Sequence, residues 1–233
     1  MIDNFHEKDA AERIQTAKIE LMQDFPFYAY LAKNLEIIEV DPEHTEVPTA
    51  AVDFKGHMFY NPEWIEQIPQ SEVKGVIAHE LLHIILDGRK RMRGRNHDKW
   101  NIAQDIIINH IVSRDGLDLP DVPYIPKNDE LHIDGCVHIT DITEETFESV
   151  YEKIEDSDVE IFGDKHIMDP DGEEELSDLP SVGEIEVDWD EAAVKAAQHA
   201  QKQGKEPLGA GESIARTNSS DVNYKELIQK TLS

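Results

Sequence analysis

The sequence predicts an α+β fold in which a small mixed sheet packs on two buried helices, with the rest of the chain mostly helical. Short apolar, β-branched and aromatic segments between turn residues predict the strands in the region 35–60. Two long apolar segments, 73–86 and 100–112, have the composition of buried helices. The length of 233 residues suits one domain, or one domain with a small appendage.

The N-terminal elements are predicted to be two helices, three strands and a short helical turn. Amphipathic spacing indicates the first helix, and the strands are separated by polar turns that contain proline or glycine. An Asn-Pro pair indicates the cap and first position of the helical turn. In chain order the helices are predicted at 7–23 and 27–34, the strands at 35–40, 50–54 and 57–60, and the helical turn at 61–65.

The next predicted element is an apolar helix for which Ser71 is a favourable N-cap residue. It contains the run His-Glu-Leu-Leu-His at 79–83. Because residues four apart lie on one face of a helix, His79 and His83 can direct two imidazoles at one metal ion. Glu80 is rotated by about 100° from His79, so it can act on a water beside the metal. This is the arrangement of zinc peptidases, in which the glutamate takes a proton from water.

The surroundings of this run favour a metal site over a chance match to a short pattern. Apolar residues flank it on nearly all sides of the helix, so the helix is predicted to be buried. Two histidines and a glutamate in a buried helix are costly unless a partner offsets their desolvation. A metal ion is such a partner.

A polar, basic connection at 88–99 leads to the second apolar helix, 100–112, which Gly116 ends. Asp105 is an ionisable residue in this otherwise core-like helix, 22 residues after His83. A catalytic zinc needs three protein ligands and an open position, and Asp105 is the favoured third ligand. The alternatives are a carboxylate that accepts a hydrogen bond from a ligand histidine, or a buried aspartate paired with the basic connection.

Two histidines compete with Asp105. His97 lies in the basic connection and can reach a metal or polarise a substrate carbonyl. His110 would point about 140° away from Asp105 around the helix, which favours packing or surface exposure. Tyr60, His97 and Tyr124 are candidates for stabilising the transition state of hydrolysis, and the sequence alone leaves the choice among them open.

The C-terminal half changes from a proline-rich loop to an acidic segment. Between residues 141 and 191 there are 21 Asp or Glu residues against two Lys, which predicts a mobile or extended segment. Further helices are expected at 144–154, 192–203 and 222–232. We therefore predict three parts, namely a metallopeptidase domain at 1–154, an acidic segment at 155–188 and a helical C-terminal appendage at 189–233.

Composition limits the classes of partner and compartment. The net charge of −28 argues against nonspecific binding to nucleic acid or to anionic membranes. The single cysteine, Cys136, excludes an intramolecular disulfide and favours a reducing compartment. The N-terminus lacks the pattern of a signal peptide and the apolar runs are too short for a membrane span. These observations predict a soluble, cytoplasmic protein.

The two apolar helices and the basic connection between them resemble the putative metallopeptidase domain that precedes VWA-like modules in bacterial and phage proteins. The likeness spans about residues 10–233 and is most specific within 57–112. It implies a zincin-like fold, a zinc ion held by His79, His83 and Asp105, and Glu80 as the base. By association it also implies a VWA-like module or a MoxR-type ATPase as partner. This chain departs from the pattern at Gly88, where the family often has a histidine, and the VWA-like module is absent from the sequence.

The sequence therefore predicts a zinc-dependent metallopeptidase that acts on a peptide or protein substrate. The strand region 51–60 is the predicted edge with which an extended peptide pairs. One alternative is a catalytically inactive scaffold that zinc stabilises. Another is an acidic protein that binds a partner or inhibits one by resembling nucleic acid.

Overall fold

A computed structural model describes residues 9–155 and 179–211, except positions 44, 46, 54, 123, 181 and 184, and describes Arg89 by its backbone alone. These residues form a mixed α+β fold with small sheets among helices, which confirms the predicted class. The predicted helix 222–232 and most of the acidic segment 155–188 lie outside the described residues.

The N-terminal half follows the predicted order closely. Its helices are α1 (Ala10–Asp24), α2 (Pro26–Ala32), α3 (Pro62–Gln67), α4 (Gln70–Ile85), α5 (Gly88–Met92) and α6 (His97–Arg114). Its strands are β1 (Glu36–Glu39), β2 (Ala50–Val52) and β3 (His57–Tyr60). The C-terminal half contains β4 (Glu130–Ile133), β5 (Val137–Thr140), a 3-10 turn (Ile142–Glu144), α7 (Phe147–Lys153) and α8 (Trp189–Lys202).

The first sheet has the strand order β1-β3-β2. Strand β3 pairs in parallel with β1 and antiparallel with β2, so it is the central strand. The prediction that an extended peptide pairs with residues 51–60 is therefore wrong for β3, because the backbone of β3 already forms hydrogen bonds with a strand on each side. Strand β2 lies at an edge of the sheet in the described part of the chain, and it packs against α4.

Helices α4 and α6 form the centre of the fold, and nearly all of their apolar residues belong to the main core. Helix α4 begins at Gln70, with Pro69 in the N-cap position and no side-chain cap. The prediction that Ser71 caps this helix is wrong. The proline, whose φ is fixed near the value observed, starts the helix before Ser71 is reached.

The basic connection is more ordered than predicted. Helix α5 occupies part of it, and α6 begins at His97 because the Asn96 side chain accepts a hydrogen bond from the Lys99 amide at 2.9 Å. The Trp100 indole donates to the Gly88 carbonyl at 3.0 Å, which ties α5 to α6. A Cβ added to Gly88 would lie 1.7 Å from Oε1 of Gln104, so a larger residue here would displace the Gln104 side chain.

The C-terminal elements cover two sides of this central helix pair. Helix α7, whose first turn has a capping box between Thr146 and Ser149, packs on α6 and on strand β5. Helix α8 packs on α2 and α4 through buried alanines that belong to the main core. The predicted division into a domain and a C-terminal appendage stays a prediction.

Within the described ranges, no helix combines the length and the apolar character that crossing a membrane requires.

Candidate functional site

Three buried side chains from α4 and α6 meet at one point. The Nε2 atoms of His79 and His83 are 2.9 Å apart. Oδ1 of Asp105 lies 3.6 Å from Nε2 of His79 and 3.2 Å from Nε2 of His83. The helical spacing of four residues places both imidazoles on the face of α4 that meets α6. The structure thus brings together the three residues that were predicted as metal ligands.

The separations between these donor atoms fit a metal ion of the size of zinc. In a tetrahedral site with ligand bonds of about 2.0–2.2 Å, neighbouring ligand atoms are about 3.3–3.6 Å apart. Of the three observed separations, 3.2 and 3.6 Å agree with this range to within about 0.1 Å, and the 2.9 Å between the two imidazoles is shorter. Three protein ligands would also leave one position open for water or substrate. The described part of the chain contains no other cluster of three such donors.

Burial also favours the protonation state that a ligand needs at His83. Desolvation lowers the pKa of His83, with the nearby His79 acting in the same direction, whereas the hydrogen bond to Asp105 opposes the shift. A metal binds the neutral imidazole. His83 is therefore held in the form that coordinates a cation at neutral pH.

Glu80 lies next to the triad without belonging to it. Its side chain is 3% exposed, and its Oε2 atom has no hydrogen-bond partner among the described residues. Because it is rotated from His79 around α4, it lines the same cavity as His79 and Asp105. A buried carboxylate oxygen without a partner is costly.

The cavity beside the triad has a volume of about 520 Å³. Its walls come from the start of β2, from α3, from the N-terminal two-thirds of α4, from Asp105 and Asn109 of α6, and from the segment that follows α6. The lining is mainly apolar, with a small number of carboxylates. This combination is typical of a site that binds an organic ligand and orients it with a few polar groups.

A glycine on α4 positions one of these walls. A Cβ added to Gly75 would lie 1.8 Å from the carbonyl oxygen of Asp118, so a larger residue would push the segment after α6 away from α4. The Asn109 side chain donates to the Tyr124 carbonyl at 3.3 Å and holds the far end of the same segment. The wall is thus fixed at both ends by residues of the two ligand helices.

The structure separates the three candidates for transition-state stabilisation. Tyr124 is buried and lines the cavity. The Tyr60 hydroxyl donates to Glu39 at 3.0 Å, and burial raises its pKa. His97, the first residue of α6, lies beside Asn101 and Asp98. Neither Tyr60 nor His97 lines the cavity, and the catalytic roles of all three stay predictions.

His110, the other competitor for the metal, has a separate set of partners. Its Nε2 atom lies 3.0 Å from Oγ1 of Thr143 and 3.1 Å from Oδ1 of Asp129. Burial lowers its pKa, while Asp129 opposes the shift. His110 therefore packs against the region of the 3-10 turn, as its position on the helix predicted.

Sequence reasoning missed the carboxylates at the other end of the cavity. Glu72 in the first turn of α4 and Asp121 in the segment after α6 both line it. A weak signal existed, because Glu72 precedes His79 by seven residues and so lies two turns away on a similar face. The position of Asp121 follows from the tertiary path of a loop, which no periodicity reveals.

Comparisons with known proteins relate the chain to one described group. The family described as "Putative metallopeptidase domain" matches residues 9–233. An uncharacterized protein of Thermotoga maritima is 23% identical over 103 residues, which are 43% of this chain and 26% of that protein. The chain thus spans about a quarter of the length of this relative. No solved structure matches the chain.

Proposed function

The chain belongs to the family described as "Putative metallopeptidase domain", and on that premise we propose that it is a zinc-dependent peptidase that hydrolyses peptide bonds. The observation that carries this proposal is the convergence of His79, His83 and Asp105 beside Glu80 in one cavity. Each of these four residues is less than one-tenth exposed. A buried site of this composition is costly in a protein that uses it for nothing.

His79, His83 and Asp105 would hold the zinc ion. Two imidazoles and one carboxylate suit zinc, which prefers nitrogen and oxygen or sulfur ligands in a tetrahedral arrangement. When bound, zinc supplies Lewis acidity, which polarises a carbonyl and lowers the pKa of water towards about 7.

Glu80 is the proposed general base. Glu80 lines the cavity, where its carboxylate would accept the proton of the attacking water. The same carboxyl group then passes that proton to the nitrogen of the leaving amine. Both transfers take place in a largely apolar cavity, in which electrostatic interactions are stronger than in bulk water.

Edge strand β2 is the proposed guide for the substrate backbone. Thr49 and Ala50 at its start line the cavity, so a peptide paired with this edge would run past the triad. Pairing through main-chain hydrogen bonds positions a peptide without regard to its side chains. Tyr124 is the proposed group for the developing negative charge, because it is the candidate that lines the cavity.

The family resemblance supports a wider set of proposals. We propose a zincin-like relation between the sheet and the two ligand helices, a cytoplasmic location, and the three-part division of the chain described above. A VWA-like module or a MoxR-type ATPase is the proposed partner.

Substitution of Glu80 by glutamine tests the proposed function. We expect Glu80→Gln to retain about one zinc per chain, because the residue is not a ligand, and to hydrolyse peptides about 10²–10⁴-fold more slowly. Glu152→Gln is the matched control, since Glu152 is exposed on α7 and far from the cavity in the fold. Zinc is measured by mass spectrometry and hydrolysis with an unfolded protein substrate. Full activity of Glu80→Gln contradicts the proposal, and zinc without hydrolysis in the wild type favours the scaffold alternative.

A further inference from the structure

The cavity extends along α4 well beyond the triad. Glu72 lies seven residues before His79 and eight before Glu80, which corresponds to about 10–12 Å along the helix. Val76 lies between them and also lines the cavity. The cavity therefore has a metal-binding end at Glu80 and a second end at Glu72, with an apolar stretch of α4 between the two.

The second end is acidic. Glu72 is partly buried in the wall, and Asp121 extends from the opposite segment. Burial raises the pKa of Glu72, and the charges of Asp118 and Asp121 raise it further, which indicates that these carboxylates lie close enough to repel one another. None of the described residues that line the cavity is a lysine or an arginine. The negative charge at this end is therefore not neutralised by a cation from the cavity wall.

The middle of the cavity is apolar. The residues that contribute to it are Trp64 of α3, Ile68 directly after α3, Val76 of α4 and Leu119 of the segment after α6. An apolar passage that ends in carboxylates matches a side chain with a long hydrocarbon stem and a positive charge at its tip. Lysine and arginine are the side chains of this kind.

A second buried acidic residue lines the same cavity at its other end. Glu80 is 3% exposed, and its Oε2 atom has no hydrogen-bond partner among the described residues. Glu80 and Glu72 thus mark the two ends of one binding space. On the basis of the proposed function, we propose that this space binds substrates with lysine or arginine directly beside the cleaved bond.

The distances support a side chain and disfavour a free amino terminus. A lysine or arginine carries its charge about 6 Å from its backbone. When the scissile carbonyl is at the triad, the adjacent residue begins a few ångströms away, so its charge reaches the neighbourhood of Glu72. The amino group of a residue whose own carbonyl is cleaved would stay within about 4 Å of that carbonyl, which is too short to reach this end.

Cleavage-site profiling tests this proposal directly. The full-length, zinc-loaded protein is incubated with a peptide library made from a digested proteome, with the amino termini acetylated, and the cut sites are read by mass spectrometry. We expect lysine and arginine to be enriched about tenfold at one position beside the cut, over methionine, which has a similar stem without the charge. Glu72→Gln should reduce this enrichment several-fold, Asp121→Asn should reduce it less because Asp121 is exposed, and Glu152→Gln should leave it unchanged.

A binding measurement distinguishes a failure of the proposed preference for basic residues from a failure of the proposed peptidase function. Zinc-loaded Glu80→Gln is titrated with fluorescent, acetylated peptides that differ only in a central lysine, methionine or glutamate, and the Kd of each is measured by anisotropy. Tighter binding of the lysine peptide, lost on adding Glu72→Gln, supports the proposal. Cleavage or binding without preference for a basic residue overturns this inference and leaves the peptidase intact. Absence of both cleavage and binding for every peptide overturns the peptidase and this inference with it.

Discussion

The two sides of helix α6 both bury polar groups, but they satisfy them differently. On the side that faces α7 and the 3-10 turn, two buried polar side chains meet partners from the protein. The Trp100 indole donates to the Gly88 carbonyl, and His110 contacts Thr143 and Asp129. On the side that faces α4, Asp105 meets two imidazoles, and the Oε2 atom of the neighbouring Glu80 has no partner in the described part of the chain.

This difference shows how a structural histidine can be told from a candidate ligand. His110 and His83 are both buried, and burial lowers the pKa of both. His110 contacts oxygen atoms that can satisfy its ring by hydrogen bonding. His83 instead points at another imidazole nitrogen and a carboxylate, a set of donor atoms that a cation holds together. The cavity beside the second set would leave a bound cation accessible to a ligand.

The largest expected effect is the loss of stabilisation by zinc when a residue is removed on the side of α6 that faces α4. Removal of a residue on the side that faces α7 should leave this stabilisation intact. At a free zinc concentration of one hundred times the Kd, the wild type should gain about 2.7 kcal/mol in free energy of unfolding. His83→Ala should lose this gain, because one of three ligands is removed. His110→Ala, a deletion of equal size on the other side of the fold, should keep it. Thermal unfolding with and without zinc measures both, and an equal loss in the two variants would remove the distinction between the two sides.

A smaller effect is expected where the cavity wall passes over α4. Gly75→Ala should lower the free energy of unfolding by about 1–3 kcal/mol, because the added methyl group meets the Asp118 carbonyl. The higher helix propensity of alanine offsets about 1 kcal/mol at most. Urea unfolding measures the change. A more stable variant would show that the wall is not packed against α4 as the structure indicates.

The smallest effect concerns the pH dependence of His110. Its pKa is lowered in the folded protein, from an ordinary value of 6.5, chiefly by burial. The stability that the neutral imidazole contributes is therefore present above that value, and it is lost as the pH falls through the lower folded pKa. The difference in unfolding free energy between the wild type and His110→Gln should shrink as the pH is lowered from about 7.5 to about 5. A difference in unfolding free energy that stays constant over this pH range contradicts a lowered pKa of His110 in the folded protein.

The sequence was sufficient to predict the elements that carry the site. The apolar composition of α4 and α6 predicts two buried helices, and helical geometry places His79 and His83 on one face of α4. Asp105 reaches them once α6 packs on α4. Most strands and helix ends were also predicted to within a few residues. These features depend on local sequence, which periodicity reports.

The features that depend on tertiary contacts were not predictable in the same way. Whether β3 is central or at an edge is decided by which strand joins it, and the start of α4 was set by Pro69 and not by the better capping residue Ser71. The cavity wall after α6 follows the close approach at Gly75. A glycine in a helix gives no indication from sequence of which backbone passes over it.

The most direct test of the account is the metal content of the purified protein. The wild type and Asp105→Ala are prepared without chelator, exchanged into buffer with added zinc, freed of excess zinc, and analysed by mass spectrometry under native conditions. The account predicts about one zinc per chain in the wild type and a large loss in Asp105→Ala, with both proteins folded by circular dichroism. A folded wild type that binds no zinc would contradict the account, because the two sides of α6 would then differ only in packing.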